Sequence, residues 1–278
     1  MTLSRRDTLK IVALGLPLPL VSSSADPAAI AKRPAVPFRG LRIGLASYST
    51  RKLSVEQTIA LCRRVDIRFI TLKSSHLPLD STREQRREIR KKFRDAGIEV
   101  AGCGVIYMKT PEEIRRALDY AQDLGANTVV AGIGEPMVGN MEKAIRDFDL
   151  RVAIHNHGPK DKLGAFSPLE VWNWIQGADK KIGVCMDVGH TFRCGHEPSE
   201  VARKCRARLY DVHMKDLDAS LSSVPVGQGT IDIIRLLKTP LKLGYQHQVA
   251  LEYEADRDDP ATGIADSIGF QRGVLATL

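Results

Sequence analysis

Two imidazoles close the apolar run Arg151-Val-Ala-Ile-His155-Asn-His157, and three later runs end in groups of the same kind. Residues 182–187 end in Asp187, with His190 three positions on. Residues 210–214 carry His213 and lead into Lys215 and Asp216. The run that finishes "ALEYE" carries Glu252 and Glu254. Neutral imidazole nitrogens and carboxylate oxygens together suit borderline divalent cations such as Mn²⁺, Zn²⁺, Fe²⁺ or Co²⁺. Any one of these residues alone is an ordinary hydrogen-bonding side chain. Together, one from each of four runs, His155, Asp187, His213 and Glu252 read as a ligand set. Glu254 is the alternative to Glu252, because the two share strand parity.

The runs that must position them belong to a longer series. Residues 41–46, 69–72, 99–105, 127–133, 151–155, 182–187, 210–214 and 248–253 are short, nearly continuously apolar and rich in β-branched side chains. Strands buried on both faces have that composition. The segments between them carry helix punctuation. Thr110-Pro111 with Glu113 and Ser167-Pro168 with Glu170 pair a cap with a first-turn proline. Ser54 and Ser81 are candidate caps of two further helices, and Gly97 and Gly125 candidate stops. Eight strands, each followed by a helical return, predict an α/β fold of the (β/α)8 barrel kind over residues 32–278. A doubly wound sheet is the alternative, but no glycine-rich dinucleotide fingerprint follows the first strand.

A barrel gathers reactive groups at the C-terminal ends of its strands. Lys73 and His76, in "TLKSSHLPL" after the second run, fall at the same rim and are candidate substrate contacts. The His190, Cys194 and His196 string lacks a fourth zinc ligand and reads as an ordinary loop. "VGQGTID" has glycines but no Lys-Ser/Thr, so it is not a phosphate-binding loop, and its glycines let the backbone turn close to the site mouth.

The strings "LKSSHLPL", "VAIHNHG", "CMDVGH", "DVHMKD", "VPVGQGTID" and "ALEYE", in that order, resemble the xylose-isomerase-like TIM barrels. That group includes sugar phosphate isomerases and epimerases and endonuclease IV. The resemblance implies one divalent metal, Mn²⁺ first among the candidates, held at positions matched here by Asp187, His213 and Glu252. The fourth position, usually glutamate, is His155. It further implies substrate contacts from His157, His190 and Lys215, with Glu252, His190 and Lys215 as the catalytic set. In the epimerases two metal-bound glutamates face opposite sides of the substrate. A metal-bound histidine coordinates through a neutral nitrogen and keeps little basicity, so one of the two bases is missing here. Glu252 remains to abstract a proton next to a sugar carbonyl. The expected activity is therefore isomerase- or epimerase-like, with elimination from a 3-oxo-glycoside as the lyase alternative. An endonuclease IV-like phosphodiesterase would need an Asp-x-His pair after the seventh strand, which is absent. A non-catalytic sugar-binding barrel is the third reading.

Composition narrows the class. The 278 residues are 43% hydrophobic and 5% aromatic, with a formal charge of +8. Much of the basic surplus lies in the charged stretch "STREQRREIRKKFRDAG", which reads as a solvated helix face, and few aromatics are offered for base stacking. The expected partner is a small sugar or oxidised glycoside, not nucleic acid. The five cysteines form no disulfide framework, and Cys103 and Cys185 lie within apolar runs as core residues. Residues 1–31 read as a twin-arginine export signal: Arg5-Arg6, an apolar run over 11–21 too short to span a bilayer, then small residues. Thr8 stands where that motif usually has a large apolar side chain. Cleavage is expected after Ala25 or Ala31, and the periplasm is the expected location.

Overall fold

The computed structural model describes residues 37–159 and 167–278. The expected export signal lies outside the described residues. Eight strands form a closed barrel: β1 (Arg42–Ala46), β2 (Phe69–Leu72), β3 (Glu99–Tyr107), β4 (Thr128–Gly132), β5 (Arg151–His155), β6 (Ile182–Asp187), β7 (Leu209–Met214) and, in last place, β10 (Gln248–Leu251). Every pairing round the ring is parallel. Two short antiparallel strands, β8 (Asp216–Leu217) and β9 (Ser223–Val224), form a flap after β7. The fold is a (β/α)8 barrel, as the spacing of the apolar runs predicts.

Strand parity divides the core into two layers. Val152 and Ile154, Val184 and Met186, Val212 and Met214, and Val249 and Leu251 point outward into the layer beneath the helices. Val130, Ala153 and Cys185 fill the barrel interior. Each fully buried aliphatic side chain contributes on the order of 1.5–3 kcal/mol, so a one-residue slip of any of these strands would be heavily penalised. The same parity turns His155, Asp187, His213 and Glu252 inward. Register then sets their heights: His155 lies opposite Cys185, Asp187 opposite His213, and His213 opposite Ala250.

The helices begin largely where the sequence predicts. Ser54 caps Val55–Arg64 and exchanges hydrogen bonds with Gln57. Thr110 and Ser167 cap the two proline-led helices, Pro111–Leu124 and Pro168–Trp174. Helix Arg83–Asp95 is capped by Thr82 instead of Ser81. Thr82 and Gln85 form the capping box, while the Ser81 hydroxyl accepts from Arg86 Nε at 3.3 Å. Gly97 and Gly125 both adopt the left-handed conformation that ends a helix (φ 77° and 71°). The highly charged helix keeps only Phe93 buried, as a solvated face should. Among the described residues, no helix is long and apolar enough to cross a membrane.

Candidate metal centre

His155, Asp187, His213 and Glu252 converge at the C-terminal mouth of the barrel. Each offers one donor atom, and the four donor atoms lie within 4.8 Å of one another. All four side chains are buried. Neither ring nitrogen of His155 makes a hydrogen bond, nor does Nε2 of His213. Buried polar atoms are almost always paired, so three orphaned imidazole nitrogens in one cluster need an account. Burial pushes the pKa of His155 down to about 3, against a weaker pull from Asp187. The imidazole is therefore neutral, the form that donates to a metal. The residues present fit a divalent cation.

The carboxylates are fixed by their surroundings. Asp187 Oδ1 accepts the His190 backbone N–H at 2.7 Å and so caps the helix Val188–Arg193. The Asp187 N–H donates to Asn156 Oδ1 at 2.9 Å, a positioning contact that sequence reading missed. Asn156 sits between the two histidines of "HNH", fully buried, and only its place on the strand end could have marked it. Asp187 Oδ2 lies 3.5 Å from His155 Nε2. Glu252 Oε2 meets His213 Nδ1 at 3.2 Å, and its Oε1 lies 3.7 Å from Lys73 Nζ. Burial alone would raise both carboxyl pKa values. The Lys215 ammonium, with the neighbouring histidines, instead holds them well below the usual carboxylate range.

Lys215 is more deeply engaged than a rim contact would be. It is 2% exposed, and its Nζ stands 3.1 Å from Asp187 Oδ2, 3.1 Å from Glu252 Oε2 and 2.8 Å from Glu254 Oε1. Burial works to strip its proton, but the three carboxylates hold it there. Glu254 stays outside the four-residue group and partly exposed at its edge.

The other expected contacts divide. His157 is buried beside His155, its ring centroid 4.6 Å away, and hydrogen-bonds Tyr107 through Nε2 at 2.8 Å. His190 stands half-buried above, 6.2 Å from His155 between ring centroids, with Arg193 Nη1 at 3.4 Å from its Nδ1. Lys73 faces both Glu252 and the ring of Tyr48, 5.0 Å from its Nζ. His76 is not brought to the cluster. Its Nε2 pairs with Thr58 Oγ1 at 3.1 Å and its Nδ1 with Ser75 Oγ at 3.2 Å, so the ring is tied to the helix Val55–Arg64 and its own loop. Tyr107 was also missed, because β3 runs two residues past the end of its apolar pattern. Among the described residues, the His190, Cys194 and His196 string forms no metal-holding group.

The loop of "VGQGTID" is built around Asp216. One carboxylate oxygen accepts the N–H groups of Gly227 and Gly229 at 2.9 and 3.0 Å. The other accepts from Leu217 at 2.9 Å and Ile231 at 3.3 Å. Gly229 is required by proximity: a Cβ there would stand 2.2 Å from Asp216 Oδ1. The loop's glycines thus serve a buried carboxylate next to Lys215. Asp216→Ala should lower stability by about 2–3 kcal/mol, since buried backbone donors lose a charged acceptor. Urea denaturation checks this, and a change under about 0.5 kcal/mol, the range of ordinary surface substitutions, would show that the loop holds its shape by other means.

Comparison with known proteins follows the same architecture. A family model described as xylose isomerase-like TIM barrel matches residues 108–274. Among solved structures, L-ribulose 3-epimerase superposes with a TM-score of 0.70, covering 85% of this chain and 95% of its own at 16% identity. The IOLI protein, solved with a binding zinc atom, gives 0.70 over 85% and 99% of the two chains at 14% identity. A Bacillus anthracis protein described as "the probable 3-DHS dehydratase AsbF" gives 0.68 over 85% and 99% at 13% identity. No curated protein matches the sequence. At these identities the likeness to solved structures speaks to the fold.

Proposed function

We propose, from the premise that this chain belongs to the xylose isomerase-like TIM barrel family, that it is a divalent-metal-dependent enzyme removing a proton next to a sugar carbonyl, in the manner of an isomerase or epimerase. The observation that carries the reading is the buried four-residue group with its orphaned imidazole nitrogens. His155, Asp187, His213 and Glu252 would hold the cation. When bound, it supplies Lewis acidity that polarises the carbonyl oxygen and acidifies the neighbouring C–H.

The chain's own residues supply the rest. Glu252 Oε2 is occupied by His213 and Lys215, which leaves Oε1 as the atom to take the proton. Lys73, 3.7 Å from that oxygen, is placed to orient a substrate hydroxyl against it. The proton's return falls to His190, half-buried at the rim, or to water, because His155 offers no second carboxylate; Lys215, also expected in the catalytic set, has its ammonium held by Asp187, Glu252 and Glu254. His157, braced by Tyr107, lines the same face.

The lyase reading has one specific support, the histidine at position 155. Without a second carboxylate, loss of a β-leaving group needs no proton returned to the same carbon. A dehydratase among the structural neighbours agrees in reaction type. The twin-arginine segment makes the periplasm the expected compartment and free or oxidised sugars the expected substrates, since sugar phosphates are mainly cytoplasmic.

The test is solvent deuterium incorporation, followed by NMR, into a panel of ketoses, aldoses and 3-oxo-glycosides. Exchange without elimination supports the isomerase or epimerase; loss of the aglycone supports the lyase. No exchange with any of them, alongside cleavage of abasic DNA, would replace both with the phosphodiesterase.

A further inference from the structure

The reaction outlined above has no step for Lys215, yet its ammonium sits at the centre of the cluster. Asp187 has one oxygen to give a cation, Oδ2, because Oδ1 is committed to the His190 N–H. Glu252 shares Oε2 with His213. Lys215 Nζ lies 3.1 Å from each of those two oxygens. Its side chain is 1% exposed, whereas that of Glu254, its third carboxylate partner, is 29% exposed. Glu254 Oε1 makes the shortest of the three contacts, at 2.8 Å.

We propose that Glu254 sets the metal affinity of this centre without being a ligand, by holding the Lys215 ammonium that otherwise competes with the metal for Asp187 Oδ2 and Glu252 Oε2. The proposal rests on the metal reading above. Charge balance is its physical basis. Asp187 and Glu252 carry two negative charges, and an unpaired ammonium beside them cancels one before any metal arrives. Glu254 neutralises that ammonium and returns both charges to the metal. Lys73 pulls the same way as Lys215, from 3.7 Å, and has only Glu252 as an ion-pair partner among the described residues. A histidine at position 155 adds no negative charge, and Glu254 is the carboxylate that pairs with Lys215 without belonging to the ligand group. In a buried site an uncompensated charge is expensive, which makes the effect large despite Glu254 never touching the metal.

The experiment is titration of chelator-stripped protein with Mn²⁺ alone, and separately with Zn²⁺, read by calorimetry. Glu254→Gln should weaken binding by about tenfold or more, the usual cost of removing a partner outside the ligand set. Lys215→Met should tighten binding, and the double variant should behave like Lys215→Met, because Glu254 then has nothing to hold. An equal loss from Glu254→Gln with and without Lys215 would make Glu254 a ligand and overturn the proposal. So would unchanged affinity in Glu254→Gln by itself, a variant at a partly exposed position. Lys215→Gln serves as a second neutral variant if Lys215→Met does not fold. Wild-type and Lys215→Met proteins that both take up no divalent ion would instead remove the metal reading itself.

Discussion

Glu252→Gln is expected to slow solvent deuterium exchange at the carbon next to the sugar carbonyl by about 10³-fold or more, combining the typical 10²–10⁴ of a lost general base with weakened cation binding. The substitution is nearly isosteric, and the amide can still accept from His213 or Lys215, so the fold should persist. Its buried neighbours are not stranded, because Lys215 keeps Asp187 at 3.1 Å and Glu254 at 2.8 Å. Circular dichroism and the melting transition should therefore stay close to wild type while exchange is lost. Activity surviving in Glu252→Gln would move the base to Glu254, the next carboxylate on the same strand face.

Asp187→Ala should be the most damaging single substitution to stability in the site. It removes a fully buried carboxylate that caps one helix and pairs with a buried ammonium. Breaking a buried pair from one side costs up to about 3–5 kcal/mol when the remaining charge is stranded; Lys215 keeps Glu252 and Glu254, so about 1–3 kcal/mol is expected here. Losing the cap adds about 1 kcal/mol. Asp187→Asn keeps an oxygen for the His190 N–H and should recover about that cap contribution. Urea denaturation in the presence of chelator separates these effects from metal stabilisation. A loss below about 1 kcal/mol for Asp187→Ala would mean that Lys215 is satisfied by Glu252 and Glu254 alone.

The sequence made the barrel legible because burial on both faces leaves a continuous apolar run, and eight such runs separated by capped helices admit few arrangements. Strand parity went further. Once the runs are strands, His155, Asp187, His213 and Glu252 must face the same interior, and they do. What sequence could not show was pairing between side chains that are remote in the chain. Lys215 reads as a rim lysine, yet it reaches three carboxylates, two of them 37 and 39 residues away. His76 reads as a substrate contact by its place after β2, but Thr58, on the preceding helix, captures its ring. Tyr107 and Asn156 carry no motif, and only the extended β3 and the packing beneath Asp187 disclose them. The cap of helix Arg83–Asp95 lies one residue further on, at Thr82, because two capping boxes overlap in the sequence, Ser81 with Glu84 and Thr82 with Gln85, and only the second forms.

We propose above all that the four buried residues form a metal centre. Elemental analysis of the purified protein, side by side with His155→Ala and Asp187→Asn, tests it most directly. About one equivalent of divalent metal per chain is expected in the wild type, as a single site of three or four protein ligands would hold, and little in either variant. Wild-type protein that is metal-free, stays so after dialysis against Mn²⁺ or Zn²⁺, and still binds sugars would contradict it and leave a sugar-binding barrel in its place.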